Sequence, residues 1–223
     1  MNICVCIKQV PDTTEIRIDP ETNTLIRKGV PSIVNPFDLY ALEMALQLRE
    51  KKSGKIYILS MGPGQAEQAV KFCLEMGADE GFLISGRAFG GSDTYATSYI
   101  LSRGVRTVET VENIEFDLIL CGKQAIDGDT AQVGPEMAEH LGIPQITMAL
   151  DLYFEGENLI VKRESREGYD LMTTSFPALV TVLKSNVPPR CATLKTKMAA
   201  RRKTITILTE TEMKEINLRH CGL

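Results

Sequence analysis

The stretch GKQAIDGDTAQVGPE at 122–136 holds the side chains and backbone best suited to gripping an anion. Gly122 and Gly128 permit tight turns, and Pro135, which has no N–H, fits near a helix start. A helix opening here leaves the amides of Thr130 through Val133 free to donate outward, and the helix dipole adds to them. Such an array suits a pyrophosphate. Thr130 and Gln132 supply further neutral donors. Asp127 and Asp129 oppose a bare phosphate, so their expected work is shaping the loop or touching a sugar. A surface turn before a capped helix is the competing reading.

Three more loops share the position of this one, each following an apolar run. They are Lys8–Gln9–Val10–Pro11, Met61–Gly62–Pro63–Gly64 and Gly90–Gly91–Ser92–Asp93–Thr94. In an open parallel sheet ligands bind beyond the carboxyl ends of the strands, so four such loops favour a nucleotide over a plain turn. The third resembles the loop with which ATP pyrophosphatases cleave at the α-phosphate. That loop follows a first strand and begins with serine, whereas this one follows a third strand and Phe89, which argues against cleavage. GxGxxG after the first strand and GxxxxGK[ST] are both absent.

Other chemistries have little footing. The six cysteines show no CxxC or Cys/His ligand spacing, and His140 and His220 lie far apart in sequence. A metal centre or a Ser–His–Asp arrangement is therefore not expected, and the cysteines fit a reduced, cytoplasmic setting. One basic segment, KSNVPPRCATLKTKMAARRKTI at 184–205, carries no acidic residue. It reads either as a solvated cationic face or, with Leu194 among its charges, as a dock for an acidic protein.

These loops need a scaffold, and the apolar patterning supplies one. NICVCIKQV (2–10), KIYILSMG (55–62), GFLIS (81–85) and FDLILCG (116–122) read as buried parallel strands. Between them lie helical patterns: from Asn35 as N-cap and Pro36 at the first position, with Leu39, Leu42 and Leu46 on one face; after Gly64, with Ala66, Ala69, Val70 and Cys73 inward and Gly77 closing; from Ser92; and from Thr130 to Leu141. EIRIDPETNTLIR (15–27) reads as a hairpin around Asp19–Pro20 and Asn23. Beyond Pro144 the helical signal stops and turn residues multiply, predicting an antiparallel excursion over 145–176, with 176–184 returning as a core strand. The expected fold is α/β, a doubly wound, mostly parallel sheet. It divides into a nucleotide-binding domain over 1–185 and an extended partner-binding arm over 186–223.

Composition agrees. The hydrophobic share is 43% and the charged share 24%, ordinary for a globular chain. A formal net charge of −4 does not suggest nucleic-acid binding. No apolar run approaches the ~20 residues of a membrane span, and the N-terminus lacks a signal-peptide pattern.

CIKQVPDT (6–13), VNPFDLYALEMALQL (34–48), MGPGQAEQAVKFCLEMGADEG (61–81), CGKQAIDGDTAQVGPE (121–136) and PPRCATLKTKMAARRK (188–203) together resemble the β subunit of electron-transfer flavoproteins over almost the whole chain. The resemblance implies a Rossmann-like, adenine-nucleotide-binding fold in a heterodimer whose α subunit holds an electron-transferring FAD. In one branch of the family the β subunit holds a structural AMP. In the other it holds a second FAD that takes hydride from NADH and bifurcates the electrons, one toward ferredoxin or flavodoxin and one toward the α-subunit FAD. AIDGDTAQVGPE and Phe89–Gly90–Gly91–Ser92–Asp93–Thr94 look like the bifurcating branch. NADH oxidation is then expected only of the α–β complex.

By position, the resemblance places Cys6, Asn35, Pro36, Phe37, Asp38 and Met61 on the adenosine side, with Lys8 and Gly62 as further cofactor-binding residues. It places Gly122, Lys123, Gln124, Ala125, Asp127, Gly128, Asp129, Thr130, Ala131, Gln132 and Val133 in the phosphate loop. Asp93, Thr94 and Thr97 fall on the flavin-ring or NADH side. Arg190, Ala192, Thr193, Leu194 and Lys195 match the loop that recognises a dehydrogenase, of the acyl-CoA, enoyl-CoA or 2-hydroxy-acid type, with Leu194 as anchor. Relatives of this branch commonly continue past the position of Leu223. A non-redox ATP-binding protein remains the alternative outside the family.

Overall fold

The computed structural model describes residues 1–12, 17–18, 25–26, 31–213 and 216–221. In chain order the elements are β1 (Asn2–Ile7), β2 (Gln9–Pro11), β3 (Arg17–Ile18), β4 (Leu25–Ile26), β5 (Ser32–Val34), α1 (Pro36–Lys51), β6 (Lys55–Met61), α2 (Glu67–Met76), β7 (Glu80–Ile84), α3 (Thr94–Glu112) and β8 (Leu118–Gly122). There follow α4 (Val133–Leu141), β9 (Gln145–Glu155), β10 (Asn158–Ser165), β11 (Gly168–Thr174), β12 (Ala178–Val182), α5 (Leu194–Ala200) and β13 (Ile205–Leu208).

Nine strands form one sheet in the order β11-β10-β9-β12-β8-β1-β6-β7-β13. From β9 to β13 all neighbours are parallel, and only β9–β10 and β10–β11 are antiparallel. The chain starts at β1 in the middle, builds outward through β6 and β7, then returns to lay β8 on the other side of β1. The order of strands therefore reverses between β1 and β8, which opens a crevice at their carboxyl ends. This is the mostly parallel α/β arrangement the patterning predicts.

Alternation along the strands sorts side chains into two layers. Ile3, Val5 and Ile7 pack with Leu42, Ala45, Val70 and Cys73 of α1 and α2, while Cys4 and Cys6 pack with Ile100, Val105 and Met137 of α3 and α4. Each fully buried Leu or Ile contributes roughly 1.5–3 kcal/mol, so the two faces together hold the sheet and its helices as one unit. Gly77 closes α2 at φ 128°, a backbone conformation that side chains with a Cβ avoid.

Several expectations shift in detail. The first strand stops at Ile7 because the Lys8 amide leaves the ladder and donates to the Asp38 carboxylate at 2.7 Å. The chain then pairs as β2 with β5, antiparallel. Helix α4 begins at Val133 rather than Thr130, since Asp129 and Ala131 adopt φ of 54° and 55°, which no helix accommodates. Of the hairpin expected over 15–27, Arg17–Ile18 pairs with Leu25–Ile26; Asp19, Pro20 and Asn23 lie outside the described residues. The excursion forms as β9, β10 and β11. Part of the segment expected as an arm, Ile205–Leu208, pairs in parallel with β7 as the last strand of the sheet.

Candidate functional site

A cavity of about 580 Å³ lies over the crevice, within the range of small-molecule and cofactor sites. Its walls come from the ends of β1, β6 and β8, from the loops after β7 and β8, and from the first turns of α3 and α4. Among the sequence-predicted residues it gathers Cys6, Lys8, Asn35, Asp38, Met61, Gly62, Asp93, Thr94, Thr97, Gly122, Lys123, Gln124, Ala125, Gly128, Asp129, Thr130, Ala131, Gln132 and Val133. Pro36, Phe37 and Asp127 do not line it. Pro36 opens α1, Phe37 packs beside Gly122, and Asp127 pairs with Lys8 at 2.7 Å.

One polar knot closes the base of the crevice. The buried Asp38 carboxylate accepts from the Lys8 amide at 2.7 Å, the Asn35 Nδ2 at 2.9 Å and the Gly122 amide at 3.1 Å. Asn35 Nδ2 also donates to the Gln124 carbonyl at 2.9 Å, and Asn35 Oδ1 accepts from the Ile126 amide at 3.2 Å. Asn35 thus stands at the N-cap position of α1 but makes no side-chain cap bond; its amide is spent on the neighbouring loop. Burial pushes the Asp38 carboxyl up to about 7, opposed by its bonds from Asn35, Lys8 and Gly122. Gly122 has no room for a side chain: a Cβ there would sit 2.3 Å from Asp38 Oδ1 and 2.6 Å from the Phe37 Cβ.

Beyond the knot, the loop changes character. Its first half is tied down by Asn35 and by the Lys8–Asp127 ion pair, and the Asp129 amide donates to the Ala125 carbonyl at 3.0 Å. No acceptor among the described residues meets the amides of Thr130, Ala131 or Gln132. The left-handed backbone at Asp129 and Ala131 alternates the chain's course there, the kind of geometry that turns successive N–H groups into an anion-binding concavity. Lys8 and Lys123 line the same cavity, Lys8 with its ammonium already paired to Asp127. Free amides of this kind are the chemistry that binds anions.

On the opposite wall, Asp93 caps α3 by accepting from the Ala96 amide at 2.8 Å, so its carboxylate is engaged in the fold. Thr94 Oγ1 reaches Glu136 Oε1 at 3.4 Å, linking the first turns of α3 and α4. Two thiols sit deep in the cavity on adjacent strands, with Cys6 in register with Cys121. The hydrogen bond with Cys4 and then burial hold the Cys6 thiol well above its usual range, and burial does the same for Cys121. Both stay neutral and serve as small apolar surface rather than as nucleophiles.

The residues expected to dock a dehydrogenase lie apart from the cavity. Arg190 grips α1, with Nη2 at 2.8 Å from Glu43 Oε1 and Nη1 at 2.5 Å from Glu50 Oε1. Thr193 caps α5, its Oγ1 accepting from the Thr196 amide at 3.2 Å while the Thr193 amide donates to Thr196 Oγ1 at 2.9 Å. Leu194 follows, 77% exposed, beside exposed Lys195 and half-buried Ala192.

The cavity also includes residues outside the predicted set, among them Ile7, Pro63, Gly86, Phe89, Leu101, Cys121 and Met137. Helical spacing carried a signal for two of these, since Leu101 stands four residues after Thr97 and Met137 four after Val133. Phe89 opens the Phe89–Thr94 stretch that the sequence singled out, whereas nothing local marked Gly86, which the fold alone brings there.

A family model described as the electron transfer flavoprotein domain matches residues 22–213. The electron transfer flavoprotein subunit beta of Thermoanaerobacterium thermosaccharolyticum is 49% identical over 100% of this chain and 84% of its own length. That of Megasphaera elsdenii is 52% identical over 92% of this chain and 77% of its own length. The caffeyl-CoA reductase-Etf complex subunit CarD of Acetobacterium woodii is 45% identical over 100% of this chain and 83% of its own length.

Proposed function

This chain belongs to the electron transfer flavoprotein family, and from that we propose that it is the β subunit of an α–β heterodimer whose β site holds FAD and receives hydride from NADH. The observation that carries the reading is the cavity at the β1–β8 crevice, where the amides of Thr130, Ala131 and Gln132 stand without acceptors among the described residues. FAD, when bound, supplies the hydride-accepting and electron-splitting chemistry. The chain's own residues do the rest. The free amides of Thr130, Ala131 and Gln132 would hold the pyrophosphate, Lys123 would offset part of its charge, and Met61 and Gly62 would border the adenosine. Asp93, Thr94 and Thr97, from the start of α3, face the space left for the ring and for the nicotinamide.

Electrons leave by two routes in this reading, one to ferredoxin or flavodoxin and one through the α-subunit FAD to a dehydrogenase docked at Leu194. The name of the Acetobacterium relative places it in a caffeyl-CoA reductase complex, which favours a CoA-ester dehydrogenase, acyl or enoyl, over a 2-hydroxy-acid one. Co-purifying the chain with its α subunit and extracting the nucleotides tests the proposal. Two FAD per heterodimer, both bleached by NADH, are expected. One FAD together with AMP would instead assign the chain to the branch with a structural AMP. ATP turnover by the chain alone would move it out of electron transfer.

A further inference from the structure

Position alone assigns Asp38 a direct contact with the adenosine, yet its carboxylate is already engaged. Oδ1 accepts from Asn35 Nδ2 and the Gly122 amide, and Oδ2 accepts from the Lys8 amide. The residue is only 5% exposed, and all three donors are N–H groups. They come from three different pieces of the fold: the end of β1, the end of β8 and the cap of α1. One carboxylate thereby cross-links the ends of the two neighbouring strands at which the strand order reverses.

Its neighbour carries the constraint onward. Asn35 holds the Gln124 carbonyl and the Ile126 amide, while Lys8, whose backbone Asp38 fixes, extends its Nζ to Asp127 at 2.7 Å. These contacts pin residues 122–127, and the unpaired amides of Thr130, Ala131 and Gln132 follow directly from that pinned half through the Asp129–Ala125 bond. We propose that Asp38 is a positioning residue that acts through the Lys8 and Gly122 amides and through Asn35, aiming the loop's free N–H groups at the phosphate of a bound adenine nucleotide. The proposal rests on the nucleotide reading of the cavity and deepens it, by giving Asp38 control of the phosphate end rather than of the base or sugar.

The chemistry makes this separable from a structural role. Asp38→Asn keeps the size of the side chain but swaps an acceptor oxygen for an NH₂, which must then face an N–H donor on one side or the other. At least one link to β1 or β8 is lost, and the loop's aim loosens. The test uses the nucleotide-stripped full chain at about pH 8, where the carboxylate is ionised, and measures binding of AMP and of adenosine by calorimetry. The expected result in Asp38→Asn is a preference for AMP over adenosine reduced roughly tenfold, with adenosine affinity nearly unchanged. Asn35→Ser should shift the same ratio in the same direction, and it serves alone if Asp38→Asn does not fold. A general loosening of the fold would weaken both ligands together, and that result, or an unchanged ratio in a wild type that prefers AMP, overturns the proposal alone. A wild-type chain that binds neither ligand overturns the nucleotide reading and the proposal with it.

Discussion

At Asp38 burial and hydrogen bonding pull the charge in opposite directions. Burial raises its carboxyl to about 7, against three N–H donors that favour the ion. The free side chain titrates near 3.9, so the folded chain holds this proton more tightly than the unfolded chain does over the interval between the two values. The group's contribution to stability is therefore whole below about pH 4 and is lost as the pH rises through about 7. Urea midpoints measured between about pH 5 and pH 8 should fall with pH, and Asp38→Asn should flatten the fall. An unaltered slope in that variant would dissociate the pH dependence from Asp38. Glu43 has the opposite sign: burial raises it, but the bonds from Arg190 and Gln47 outweigh burial and hold it below its ordinary value. Its contribution is present above the unfolded value and is lost as the pH falls, so the two groups act in separate windows.

Helix α1 is the element that joins the cavity to the segment proposed to dock a partner. Its N-terminal turn supplies Asp38 to the cavity, and its later turns supply Glu43 and Glu50 to Arg190, which seats the Pro188–Thr193 segment. The helix is buried over much of its circumference, with Ala41, Leu42, Met44, Ala45, Leu46 and Leu48 all in the core, so it serves as a rigid strut. Helix α5 is only seven residues long and depends on its Thr193 capping box for a firm start. That cap presents Leu194 at the helix's first position with almost nothing packed over it. A side chain this exposed contributes little to the fold. Under the proposed function, Leu194→Ala should therefore leave the thermal midpoint and nucleotide content unchanged, while electron transfer from an α–β complex to a dehydrogenase slows about tenfold or more, as for an interface anchor. Unchanged transfer would remove Leu194 from the docking surface.

For the molecule as a whole, stability should grade from the centre of the sheet outward. β1, β6, β8 and β12 have buried interiors and partners on both sides, whereas β11 is an edge strand with Tyr169 and Leu171 exposed. Hydrogen exchange should find the slowest amides in β1 and β8 and markedly faster ones in β11; equal protection would contradict the layered core. Much of this plan was legible in the chain. Continuous apolar runs such as NICVCI and LILCG announce strands buried on both faces, and Asn35–Pro36, Gly77 and the 122–136 stretch announce helix starts, stops and a loop rich in donors, because each of these depends on local backbone chemistry. What local chemistry cannot express is which distant groups meet. The diversion of Asn35 from capping to the Gln124 and Ile126 backbone, the exclusion of Asp127 from the cavity by Lys8, and the inclusion of Gly86 all follow from strand order. So does the placing of Ile205–Leu208 beside β7. The sequence by itself determined the parallel α/β plan and the donor-rich loop, since periodicity and turn propensity act over a few residues. Only the tertiary structure decided that β1 and β8 lie side by side with their ends joined by one buried carboxylate, since that depends on which strands pair across more than a hundred residues of chain.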